Sequence, residues 1–157
     1  MNNKDIQQGI VLVDSVNYLD SESQGKIAIA GSHGGIYAAY KAAKTGVRAV
    51  ILNDAGVGLQ NAGIACLEYC EKRGMAAAVV SHTSARIGQS SDMFERGRLS
   101  GVNTIAQVIG CELNMTCKEA ADILRNAPHQ HGSPPNYEET RFVISEEYPR
   151  VICIDSA

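Results

Sequence analysis

Three short polar clusters, Ser32-His33, Asn53-Asp54 and Ser81-His82, carry the side chains best suited to moving protons. An imidazole changes charge nearest to neutral pH, so His33 and His82 are candidates for a general acid or base. Asp54 belongs to the intervening cluster and can orient an imidazole by accepting a hydrogen bond from one ring nitrogen. The expected catalytic set is therefore His33, Asp54 and His82. The same three residues have the chemistry of a two-histidine, one-carboxylate site for a divalent metal. That is a secondary reading, because no close spacing such as His-x-His supports it, and no cofactor is otherwise expected.

The run Gly31-Ser32-His33-Gly34-Gly35 adds a second kind of chemistry. A glycine-rich turn that opens a helix presents backbone N–H groups and the positive end of the helix dipole, which together favour an anion. Arg86 supplies a planar cation suited to a carboxylate or phosphate. Ser32, Gly34, Gly35, Asn53, Ser84 and Arg86 are accordingly the expected substrate-binding residues. The run is neither G-x-x-x-x-G-K-[ST] nor G-x-G-x-x-G, so triphosphate and standard dinucleotide sites are disfavoured. It resembles the nucleophile elbow of α/β-hydrolases, a serine on a strained strand-to-helix turn, over roughly thirty residues. Here His33 occupies the central position and Ser32 falls one residue early. The acid-then-histidine order that the resemblance implies is met loosely by Asp54 and His82.

Each polar cluster ends an apolar run: Ile27 to Ala30, Ala49 to Leu52 and Ala77 to Val80. Runs this short read as buried strands, and the segments between them have helical spacing. Parallel strands bring their carboxyl ends to one side, so the three clusters should share one cleft, within about 10 Å of a common point. The expected fold class is α/β: a three-layer sandwich with a mostly parallel sheet, helices on both faces and a carboxyl-terminal β-hairpin, in one domain over 1–157. Ile10 to Val13 reads as a further strand, and helices are expected near 36–44, 61–73 and 117–125. Thr116 and Glu119 form a capping box for the last of these. Gly97 and Gly101 should divide residues 90–109 into two short helical pieces or leave one kinked helix. Pro128, Pro134 and Pro135 make 126–137 a loop, with His129 and His131 in it. Val151 to Ser156 echoes Val11 to Ser15, which suggests that the first and last strands are neighbours with Asp14 and Asp155 at equivalent edges.

The totals exclude several function classes. With 157 residues, a net charge of −3 and no polybasic stripe, the chain does not read as a nucleic-acid binder. No run is long and apolar enough for a membrane span or a secretory signal, so a cytoplasmic protein is expected. Five cysteines without a CxxC pair read as reduced thiols, and Cys66 and Cys70 as small apolar side chains on one helix face. The functional expectation is a small-molecule enzyme, a hydrolase, lyase or isomerase, acting on a small anionic metabolite that carries a carboxylate. The alternative is a non-catalytic metabolite-binding or regulatory subunit with an anion site at the glycine-rich turn. Small residues in the helices leave room for a homo-oligomer.

Overall fold

The computed structural model describes residues 4–7, 9–130, 132–137, 140–148 and 151–154. Six strands form the main sheet: β1 (Lys4–Gln7), β2 (Ile10–Val13), β3 (Ile27–His33), β4 (Ala49–Asn53), β5 (Ala76–Val80) and β6 (Leu99–Val102). Their order in space is their order in the chain. The inner four, β2 to β5, are parallel, and β1 and β6 flank them antiparallel. The mostly parallel sheet expected from the three apolar runs is thus present.

Alternation along the strands sorts their side chains into two cores. Val11, Val13, Ala28, Ala30, Val50, Leu52, Ala77 and Val79 face one side, where they meet α1 (Ile36–Thr45) and α2 (Cys66–Glu71). Ile10, Leu12, Ile27, Ile29, Ile51, Ala78 and Val80 face the other, where they meet α3 (Ser90–Arg96), α4 (Thr104–Val108) and α5 (Cys117–Leu124). Burial on both faces explains why these strands are continuously apolar. The sorting of helices follows from strand order. Parallel neighbours added in one direction by crossovers of one hand place every crossover on the same face. The opposite face is left for the carboxyl-terminal helices to cover.

β1 and β6 lie outside the runs that periodicity marks as strands. β6 is Leu-Ser-Gly-Val and occupies part of the stretch expected to be helical. Gly101 is needed there, since a Cβ would sit 3.0 Å from both Leu67 Cδ1 and Val79 Cγ2. α1 ends at Gly46 in the left-handed conformation, and α5 begins at the Thr116–Glu119 capping box, both as expected. The hairpin is formed by β7 (Arg141–Ser145) and β8 (Val151–Ile154). β8 pairs with β7, whereas β2 lies between β1 and β3, so the expected pairing of first and last apolar runs does not occur. Asp155, Ser156 and His131 lie outside the described residues. Among the described residues, no helix is long and apolar enough to cross a membrane.

Candidate functional site at the carboxyl edge of the sheet

The strand ends are level. His33 pairs with Asn53, and Asn53 pairs with Val80, so the three polar clusters leave adjacent strands at one height. The chain beyond β5 then crosses this edge strand by strand. Asp54 N–H donates to Val80 O at 2.8 Å, Asn53 Nδ2 to Ala85 O at 3.4 Å, and Gly88 N–H to Gly31 O at 2.7 Å. Ser90 closes the crossing by donating its N–H and its hydroxyl to Asp14 Oδ1, each at 2.9 Å. Residues 81–90 thus form a strap over β5, β4, β3 and β2 in turn. Gly31 permits the close approach, because a Cβ there would lie 2.8 Å from the Gly88 carbonyl carbon.

Asp54 is the hub of the edge. Its side chain is buried, and it accepts from Gly56 N–H at 2.9 Å, His82 N–H at 3.0 Å, His82 Nδ1 at 2.8 Å and Ser100 Oγ at 2.8 Å. Burial pushes the Asp54 carboxyl up, but the Gly56 and His82 N–H groups, the Ser100 hydroxyl and the His82 ring outweigh it. The net effect holds the carboxyl below its ordinary value. An ionised carboxylate on Nδ1 selects the Nδ1–H tautomer of His82 and leaves Nε2 with a lone pair. The His82 side chain is 51% exposed, against 5% for Asp54, so the buried acid holds a solvent-facing base.

The other expected site residues are placed as follows. The His33 ring lies over Gly35, where a Cβ would come within 2.7 Å of its Nε2. Its backbone is two strand spacings from Val80, about 10 Å. The Ser32 hydroxyl accepts from Val16 N–H at 3.0 Å and ties down the β2–β3 connection. Gly34 N–H donates to Asn53 O at 2.7 Å, so this N–H is already engaged and is not open to an anion. Gly35 caps α1 without a side-chain bond. Asn53 is fully buried, its amide oxygen accepting from Ala55 N–H at 2.9 Å. The Ser84 hydroxyl donates to Ser81 O at 2.8 Å and accepts from Arg98 N–H at 3.0 Å, which ties the strap to the residue before β6. Arg86 is exposed, with Nη1 at 3.4 Å from Gln89 Oε1. Hydrogen bonding joins Asp54 to His82 directly, whereas His33 is exposed beside Gly35 and Arg86 bonds Gln89.

Two features of the edge have no counterpart in the sequence reading. Ser100 reaches Asp54 because β6 carries a register shift where Val79 and Val80 pair with Gly101 and Leu99, leaving Ser100 unpaired between them. A lone serine in Leu-Ser-Gly-Val carries no signal of that role. The second feature is strain. Ala55, Val57, Gln60 and Asn61 all have positive φ, and Val57, at 69°, is β-branched. The loop is also closely packed: a Cβ on Gly63 would lie 2.2 Å from Asp54 O, and one on Gly34 would lie 2.4 Å from Gly63 O. Strain of this kind concentrates at functional sites.

Clefts of about 660, 420 and 180 Å³ are all lined by other residues, and the first opens at the amino edge of the strands, around Lys26 and Gly46. The Asp54–His82 pair therefore sits on an open edge rather than inside one of these hollows. Among the described residues, no three His, Cys, Asp or Glu side chains are grouped as a metal ion would require, so His33, Asp54 and His82 do not form such a group. Cys66, Cys70, Cys111 and Cys117 are buried free thiols, and burial pushes Cys70 and Cys117 up to about 12. Such thiols are protonated and unreactive at neutral pH. Comparison of the chain with models of known protein families, with curated proteins and with solved structures gives no match.

Proposed function

We propose that the carboxyl edge is the active site of a small-molecule enzyme, a hydrolase, lyase or isomerase, acting on a small anionic substrate that carries a carboxylate. The observation that carries this reading is the 2.8 Å bond from His82 Nδ1 to the buried Asp54 carboxylate. It orients the ring and leaves Nε2 on the exposed side as a proton acceptor or, once charged, a donor. Asp54 is the orienting residue, His33 the candidate for a second proton-transfer group, and Arg86 the candidate cation for the substrate carboxylate.

The test is turnover of a panel of 2-hydroxy, 2-oxo and amino acids and their esters, with product analysis, by wild type and His82→Ala. A positioned general base contributes about 10²- to 10⁴-fold, so His82→Ala should lower kcat/KM by that factor while circular dichroism stays unchanged. Equal turnover by wild type and variant removes the assignment. One observation favours a second reading, a non-catalytic metabolite-binding or regulatory subunit: none of the three clefts reaches His82. Calorimetric binding of a panel member without conversion would select that reading. An open edge would also be completed by a second copy of the chain, which sedimentation would detect.

A further inference from the structure

The amino edge of the sheet combines volume with a group of cations that bond neutral partners. Its cleft of about 660 Å³ lies between the turn that precedes β3, the end of α1 and the segment after α5. That is within the range of sites for small molecules. Lys26 and Lys44 line it, and no carboxylate pairs with either among the described residues. Lys26 donates to the Glu22 carbonyl, and Lys44 Nζ donates to Tyr40 Oη at 3.0 Å. Behind the cleft, Arg48 donates to Arg125 O at 2.6 Å and contacts the His129 ring, and its Nε is buried without a partner. Three cations are therefore gathered on neutral partners, in a chain whose net charge is −3. The segment that forms the far wall is pinned by Gln130 Nε2, which donates to Ala43 O at 2.9 Å, and by the Arg48–His129 contact. The walls also present Glu22 and Gln24, groups that hydrogen-bond hydroxyls and that make a bare polyanion a poorer fit.

We infer that this amino-edge cleft is a second binding site, for a hydroxylated phosphomonoester of about sugar-phosphate size. The phosphate would be taken by Lys26 and Lys44, with Arg48 adding positive field from behind, and the hydroxyls by Glu22 and Gln24. The site is independent of the Asp54–His82 pair, which lies at the opposite ends of the same strands.

Calorimetric titration with ribose 5-phosphate, ribose and inorganic phosphate tests it on the full chain. Ribose 5-phosphate should bind saturably at sub-millimolar to millimolar concentration, with ribose and phosphate each at least about tenfold weaker. The double variant Lys26→Ala/Lys44→Ala should weaken ribose 5-phosphate by about tenfold or more, and Lys26→Arg/Lys44→Arg should retain it. His82→Ala should leave binding unchanged, so failure here and failure of the active-site reading are separable. No saturable binding up to about 10 mM, or equal binding by wild type and the alanine double variant, overturns the site. Equal affinity for phosphate alone overturns the phosphomonoester assignment, and loss of binding in His82→Ala places the ligand at the other edge.

Discussion

The two ends of the same parallel strands are built on opposite plans. At the carboxyl edge the Asp54 carboxylate accepts from four donors, the backbone is strained, and the clefts of about 660, 420 and 180 Å³ lie elsewhere. At the amino edge there is a cleft of about 660 Å³, and among the described residues Lys26 and Lys44 bond neutral oxygens. The contrast teaches that a buried carboxylate bonded to an imidazole and an open cleft lined by cations can stand at opposite ends of the same strands. A search by residue type finds the first edge, and a search by volume finds the second.

The largest expected effect breaks the carboxyl edge. Asp54→Ala removes the acceptor for four donors, two of them backbone N–H groups, and should cost about 3 kcal/mol in urea denaturation. Lys44→Ala at the amino edge should stay within about 0.5 kcal/mol, since the side chain is exposed and makes no ion pair among the described residues. Similar costs at the two edges would erase the contrast.

A smaller effect carries a pH signature. The Asp54 carboxyl is held below its ordinary value in the folded state, so its contribution to stability is complete above the ordinary carboxylate range. That contribution is lost as pH falls through the lowered, folded-state value. Ser100→Ala weakens one of the bonds that produces the lowering. It should cost about 1 kcal/mol near neutral pH, and its difference from wild type should shrink in acid. A pH-independent difference would mean that Ser100 acts through β6 packing rather than through the carboxylate. The smallest effect sharpens the comparison from the side of strain. Val57→Gly relieves a left-handed β-branched residue and should stabilise the protein by up to about 1 kcal/mol, read as a rise in Tm. A fall in Tm would show that the Val57 side chain contributes packing that exceeds its strain.

The parallel core was legible because burial on both faces forces continuous apolar runs, and the abrupt polar pairs at their ends marked the edge. That Asp54 could reach an imidazole from a neighbouring strand followed from the same logic, but the choice of His82 over His33 did not, since β3 and β5 both adjoin β4. What stayed hidden depends on backbone detail without a residue-type signature. Ser100 is aimed by a bulge, and the Gly34 N–H is taken by a cross-strand carbonyl. β6 has glycine where a strand usually has bulk, because Leu67 and Val79 crowd it. The amino-edge cations were invisible as a group because Lys26, Lys44 and Arg48 stand at the starts of strands and the end of a helix, where isolated surface charges are ordinary.

The match between strand order in space and strand order in the chain bears on how the protein is made. A sheet laid down in sequence can grow at one margin as the chain leaves the ribosome, each new strand docking on the one before it, without waiting for a distant partner. The strap is different, because its last hydrogen bonds reach back from Ser90 to Asp14 across the whole parallel core. The segment that carries His82 can be fastened across β2 only after β2 to β5 are in place. Assembly thus keeps the Ser90–Asp14 latch among the late events of folding, and a chain ending before residue 90 would hold β1 to β5 but neither β6 nor the latch.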